Sequence, residues 1–278
     1  MLGKLLKHEF RATGRVLLPA MGAVLALSLL ANLSARLIQM TDSGILTVLF
    51  ALVIAAFVIG MIALCVMTLV IMVLRFYRNL LGNEGYLMHT LPVSVHELVW
   101  SKLIVSLVWF LASWVLILLL ILGTVLVQSG TGLGDLLRGF PSWSDLQNFL
   151  HEAGFRHPEL RKLTLLLVEF TLGVLIGYLA TCLHFYAAMA LGQMFSKDKV
   201  LLSVLFYIGL SMVMSAMING VGVGATVHLE QLPDPETIGE TLTLVQRVAG
   251  GALLMSVVQA ALLYLATVLP MQKRLNLS

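Results

Sequence analysis

The sequence predicts an all-α integral membrane protein with six transmembrane helices. Three observations lead there. Hydrophobic residues make up 59% of the chain and charged residues only 11%, with a mean hydropathy of +0.99, whereas soluble domains run near half apolar and a quarter charged. Six apolar runs reach the roughly 20 residues that a helix needs to cross the hydrocarbon core. None shows the in–out alternation of a barrel strand, and a continuous helix satisfies its own backbone in lipid.

Residues 1–15 precede the first run. At 100° per residue, Lys4, Lys7, His8, Arg11 and Arg15 fall within an arc of roughly 100°, while Leu2, Leu5, Leu6 and Val16 lie opposite and Glu9 interrupts that apolar face. This pattern predicts an N-terminal interfacial amphipathic helix on an anionic leaflet. A secretory signal peptide shares the basic-then-apolar outline. Here the basic part is long and contains Glu9, and the run that follows is long enough to span, which favours a retained helix.

The predicted spans are 16–38, 45–74, 103–127, 163–191, 200–223 and 248–268, within one transmembrane domain over 1–278. The second, about 30 residues long, reaches roughly 45 Å. That exceeds the hydrocarbon core, so it should tilt or project toward Arg75. An even number of spans puts both termini on one side. The terminal side holds Lys4, Lys7, Arg11, Arg15, Arg75, Arg78, Lys102, Lys197, Lys199, Lys273 and Arg274; the other holds Arg36, Arg138, Arg156, Arg161, Lys162 and Arg247. Eleven cations against six place both termini in the cytoplasm of a multi-pass cell-membrane protein.

The expected external loops are 36–44, 128–162 and 224–247. In the second, Ser144 and Gln147 form a capping box that predicts a short helix over 145–153, stopped by Gly154. Pro158 fits the first turn of the fourth span, and Asp234-Pro235 a similar helix start before the sixth. No internal repeat is visible, so an inverted-repeat transporter has little support.

Several kinds of chemistry are excluded or weakened. GxxxxGK[ST], HExxH and GxSxG are all missing from the sequence, so energy for any transport would come from a gradient or from another polypeptide, which would be the one to bind ATP and Mg, and no cofactor is expected in this chain. Cys65 and Cys182 lie inside apolar runs with no metal-ligand spacing. No basic stripe interleaved with aromatics points to nucleic acid. Glu169 is the clearly intramembrane carboxylate, a functional candidate by its desolvation cost alone, although snorkelling or pairing with Arg161 or Arg247 would also account for it. His184 shares its helical face with Gly177, Ala180 and Ala187, where close helix packing is the plainer reading. In the fifth span Ser203, Tyr207, Ser211, Ser215 and Asn219 recur every fourth residue, a ribbon drifting about 40° per step. Together with Glu169 and His184, Tyr207, Ser211, Ser215 and Asn219 are candidates for a substrate path; hydroxyls bonded to their own backbone are the alternative.

The most informative stretch is the charged, turn-rich island 75–102 between the second and third spans. It begins with Arg75 and Arg78 and runs through Gly82-Asn83-Glu84-Gly85, an amphipathic stretch containing Met88, and Thr90-Leu91-Pro92-Val93-Ser94 to Lys102. Pro92 disfavours helix at Leu91, and Ser94 with Glu97 forms a capping box. The pattern is a short helix, a sharp break, then a new helix.

With Glu84-Gly85, the run Thr90–Ser94 and Lys102, this island resembles the loop between spans two and three of type-2 ABC transporter permeases, and the six-span plan extends the resemblance over essentially the whole chain. The resemblance implies a coupling helix that docks on a separate ATPase subunit through Gly82, Glu84, Gly85, Met88, Thr90, Leu91, Pro92 and Val93. It also implies partnership with a second permease copy or paralogue in an exporter; the apolar expected lining with scattered hydroxyls suggests an amphipathic peptide, a lipid or a hydrophobic drug as cargo. Two rivals remain: an ion-coupled secondary transporter using Glu169 and His184, and a non-transporting sensor or immunity subunit. An integral membrane enzyme lacks a catalytic constellation.

Overall fold

The computed structural model describes residues 2–38, 40, 43–82, 93–129, 144, 148, 157–195, 198–230 and 237–273. Among these, six long helices follow one another: α1 (Leu2–Ile38), α2 (Gly44–Phe76, continued by a π-turn Tyr77–Leu81), α3 (Val95–Ser129), α4 (His157–Gly192), α5 (Lys199–Glu230) and α6 (Ile238–Lys273). Each carries a stretch long and apolar enough to cross a membrane, with a multi-pass membrane protein as the result.

The expected boundaries fall inside these helices. Helix α3 starts at Val95, immediately after Ser94, where the capping box places it. Pro158 lies in the first turn of α4, where its missing N–H costs nothing. The segment 145–153 lies outside the described residues apart from Asn148, which is helical. Asp234 and Pro235 also lie outside them.

The N-terminal segment is helical, as expected, and continuous with the first span. Leu2–Ile38 is one helix of 37 residues, with no break between the basic turns and the first span. Nothing between Arg11 and Leu18 stops a helix: the one glycine there costs about 1 kcal/mol, which packing outweighs. Lys4, Lys7, His8, Arg11 and Arg15 do form an exposed face, while Glu9, Thr13, Gly14 and Leu17 are buried.

The chain divides into two compact units, residues 1–75 with 97–140 and residues 76–96 with 141–278. In the first, α1, α2 and α3 share two apolar clusters, one around Leu17, Met72, Val105 and Trp109, the other around Val24, Ala31, Phe57 and Leu64. Polar contacts set the register. Trp109 Nε1 donates to Thr13 Oγ1 at 2.8 Å, Asn32 Nδ2 to Thr124 Oγ1 at 3.3 Å, and Arg36 Nη2 to the Val127 carbonyl at 3.2 Å. Residue numbers rise together along both helices, so α1 and α3 run parallel. Thr68 on α2 meets Ser113 on α3, hydroxyl to hydroxyl at 3.2 Å.

In the second unit α4 lies between α6, against which it packs extensively, and α5. Lys162 near the start of α4 donates to the Gly239 carbonyl at 2.9 Å and to Thr243 Oγ1 at 2.7 Å, at the start of α6, so those two helices are parallel. At the other end of α4, a Cβ on Gly192 would lie within 3 Å of Ser203 and Lys199 backbone atoms, so glycine there permits the turn back into α5. Large apolar side chains such as Leu118, Phe170, Leu201 and Leu254 point outward on all sides of these helices. Such exposure is what lipid contact requires.

Candidate functional site

The first unit holds a buried charge cluster. Glu9 of α1 accepts a hydrogen bond from Arg75 Nε at 3.1 Å, and Arg75 Nη2 lies 3.1 Å from the same Oε2. Its Oε1 accepts from Lys102 Nζ of α3, whose side chain is only 3% exposed. The Thr13 hydroxyl, one turn on, donates to the Glu9 carbonyl at 2.8 Å and receives the Trp109 indole N–H. Gly14 lies under that indole, where a Cβ would touch its ring at 3.4 Å.

Glu9 stands before the apolar stretch that begins at Val16. Burial pushes its carboxyl up, but the Lys102 and Arg75 charges outweigh burial and hold it below its usual value. The cluster therefore joins α1 to the residues that open and close the 75–102 island. Sequence reading used Arg75 and Lys102 as topology charges and as the ends of the island, and Glu9 as an interruption of the apolar face, without joining the three. The signal was there: a carboxylate on the apolar face of a helix whose cations all lie opposite needs partners from elsewhere in the chain.

The second unit holds the inner part of the island. Beyond Phe76 the helix widens into a π-turn over Tyr77–Leu81, closed by the Gly82 N–H bonding the Tyr77 carbonyl at 2.7 Å. Such turns recur at functional positions. Phe76 stacks on Tyr186 of α4, with centroids 3.8 Å apart and planes within 6°, and neither ring is exposed. On the returning side, His96 Nδ1 lies 2.6 Å from Tyr264 Oη, and Gln272 Nε2 lies 3.1 Å from His96 Nε2. The amide donates, so Nε2 accepts and Nδ1 carries the hydrogen toward the tyrosine.

Of the expected docking residues, Gly82 ends the π-turn and Val93 is half-buried in a bend just before α3. Glu84, Gly85, Met88, Thr90, Leu91 and Pro92 lie outside the described residues. A Cβ on Gly82 would meet the Arg78 carbonyl oxygen at 3.0 Å and the Arg78 Cα at 3.3 Å. Backbone cannot yield as a flexible side chain would. Gly82→Ala is therefore expected to cost about 1–3 kcal/mol and to increase proteolytic nicking near residue 82. Cleavage at the wild-type rate would show that the turn tolerates a side chain.

The expected path residues separate into two places within the second unit. On α5, Tyr207, Ser211, Ser215 and Asn219 line one groove of about 630 Å³ together with Ile208, Met212 and Ala216. His184 of α4 contacts two of these residues: its Nε2 lies 3.0 Å from Ser211 Oγ and 3.2 Å from the Tyr207 carbonyl. Ser211 donates its own hydrogen to the Tyr207 carbonyl at 2.8 Å, so the hydrogen between His184 and Ser211 belongs to Nε2. The Tyr207 ring contacts both the His184 and Phe185 rings. Asn219 Nδ2 donates to Ser215 Oγ at 3.2 Å. The ribbon thus combines backbone-bonded hydroxyls with an open groove whose exposed lining is mostly apolar.

Glu169 lies elsewhere. Fifteen residues along one helix is roughly 22 Å, so Glu169 and His184 share a face without sharing a hydrogen bond. Among the described residues Glu169 has no ion pair, and its buried Oε2 has no hydrogen-bond partner. No group of three His, Cys, Asp or Glu side chains suited to a metal occurs among the described residues.

Among the described residues, six helices long and apolar enough to span define a multi-pass membrane protein, and Glu9 ties together Arg75 at the end of the second helix and Lys102 near the start of the third. No protein-family model, no curated protein and no solved structure matches the chain.

Proposed function

We propose that this chain is the membrane-spanning permease subunit of an ATP-driven exporter, in which a separate ATPase pushes on the 75–102 island and the helices respond by alternating access. One observation carries the reading: the Glu9 carboxylate binds both Arg75 and Lys102. Charge pairing so deep is costly unless geometry is good, and here it fixes both ends of a loop whose sequence has the outline of an ATPase-docking helix. A force on that loop is delivered to α1, α2 and α3 together rather than dissipated in a floppy connection. The lack of a P-loop in the sequence supports an external motor. The charge distribution supports cytoplasmic termini and a cytoplasmic island, the side on which ATP is available. A second permease copy or paralogue would complete the transporter, with an amphipathic or hydrophobic cargo.

The test is co-purification from native membranes in mild detergent. The tagged chain is expected to bring down a P-loop ATPase, with ATP hydrolysis stimulated by reconstitution into lipid. Glu84→Ala and Pro92→Ala are expected to lower coupled hydrolysis at least fivefold while leaving the chain in the membrane. Normal coupling in both variants, or purification with no ATPase, would sink the reading.

A further inference from the structure

We propose that the N-terminal part of α1 binds one anionic phospholipid, with Arg11 and Arg15 on its phosphate and its acyl chain along the leucines that follow. The inference does not depend on the exporter reading, because it uses only α1 and the bilayer. At 100° per residue, Lys4, Lys7, His8, Arg11 and Arg15 share an arc of roughly 100° with Leu18, Gly22, Leu25, Leu29 and Leu33. All ten are exposed. Glu9, Thr13, Leu17, Val24 and Ala31, by which α1 packs within its unit, lie on the opposite side and are buried. One face of a single helix therefore passes from cations to lipid-facing leucines without a change of register. Gly22 leaves a dip in that face between Leu18 and Leu25, where an added Cβ would meet nothing within 4 Å.

Length decides which cations reach the phosphates. Helix α1 has 37 residues, roughly 55 Å at 1.5 Å each, against about 30 Å of hydrocarbon and about 45 Å with both headgroup layers. Its first turns therefore rise out of the leaflet instead of lying on it. Counted from Val16, where the apolar stretch begins, Arg15 and Arg11 stand roughly 2 and 8 Å above the hydrocarbon edge, and Lys7 and Lys4 roughly 14 and 18 Å. A headgroup layer is only about 5–8 Å deep. Helical side chains lean toward the N-terminus, so the lysines point away from the bilayer while the two arginines span its phosphate level. A guanidinium grips a phosphate through two parallel hydrogen bonds, and the aliphatic stem beneath it extends the apolar stripe. Lys4, Lys7 and His8 add the longer-range attraction of a basic segment near an anionic surface.

The probe is dioctanoyl phosphatidylglycerol added to the purified full chain in a neutral maltoside detergent, with bound lipid counted by native mass spectrometry. Dioctanoyl phosphatidylcholine, with the same tails and no net charge, is the control. The wild-type chain is expected to bind its first phosphatidylglycerol at least tenfold more tightly than phosphatidylcholine. In Arg11→Gln/Arg15→Gln that preference is expected to fall to within twofold, with phosphatidylcholine binding unchanged as the sign of a folded chain. Lys4→Gln/Lys7→Gln, which removes as much charge from the same face, is expected to stay within threefold of wild type. No preference in the wild-type chain, or one that survives loss of both arginines, would overturn the site. An equal loss in the lysine pair would mean that the whole row acts together, as toward an acidic protein surface, and would overturn it too. Glycerophosphoglycerol, the same headgroup without acyl chains, is expected not to displace the lipid; displacement at equal concentration would show a bare phosphate site and reject the lipid one.

Discussion

Glu9→Gln is expected to lower the unfolding free energy by about 3–5 kcal/mol, the range found when one partner of a buried ion pair is removed. The reason lies in Lys102, whose ammonium is almost wholly buried and held by Glu9 Oε1. Glutamine keeps the shape and an acceptor oxygen but removes the charge, so a desolvated cation loses its carboxylate. Adding Lys102→Met should recover most of the loss, because an apolar replacement of the pair is often close to neutral. Equilibrium unfolding in SDS, followed by tryptophan fluorescence, measures both. A Glu9→Gln chain within 1 kcal/mol of wild type would show that the cluster is not a structural clamp. The same carboxylate predicts a pH dependence. Its folded pKa is depressed, so its stabilisation is fully present above the ordinary carboxylate value and is lost as pH falls through the lower, folded one. Glu9→Gln should lack that acid-side loss.

Phe76→Ala is expected to cost about 3–5 kcal/mol in the second unit. Phe76 and Tyr186 are both fully buried and stack face to face; truncation removes the ring and leaves a cavity against Tyr186. Phe76→Leu, which fills much of that space, should lose less than half as much. Cys182 provides the readout, since it is buried in the same unit while Cys65 is exposed. In a Cys65→Ser background, maleimide labelling during a temperature ramp should occur several degrees earlier for the alanine variant. Unchanged labelling would remove Phe76 as an anchor of the island.

The six helices were legible because lipid makes one demand, a run of about 20 apolar residues, and the chain meets it openly. Helix starts at Ser94 and Pro158 were legible too, since capping is written in adjacent residues. The N-terminal segment was read as an interfacial helix because its charge pattern is amphipathic, and that pattern does not say whether it continues into the span. What joined it to the span was packing: Thr13 and Gly14 lie under Trp109, a contact ninety-odd positions away that periodicity cannot see. The Glu9 cluster was hidden for the same reason. Its three members come from three helices, and each alone resembled a surface charge. Of the expected path residues, Tyr207, Ser211, Ser215 and Asn219 do gather on one groove, because steps of four on one helix are a local property. Whether Glu169 and His184 meet depended instead on distance along a rigid rod.

The parallel pairing of α1 and α3 has a mechanical consequence. Its contacts, from Glu9–Lys102 through Thr13–Trp109 and Asn32–Thr124 to Arg36–Val127, run nearly the full length of both helices. Sliding one helix past the other by a single turn of 5.4 Å would break every rung at once, with no second register offering the same partners. Shear within this pair is thereby suppressed, and whatever motion the first unit makes, α1 and α3 make it in step.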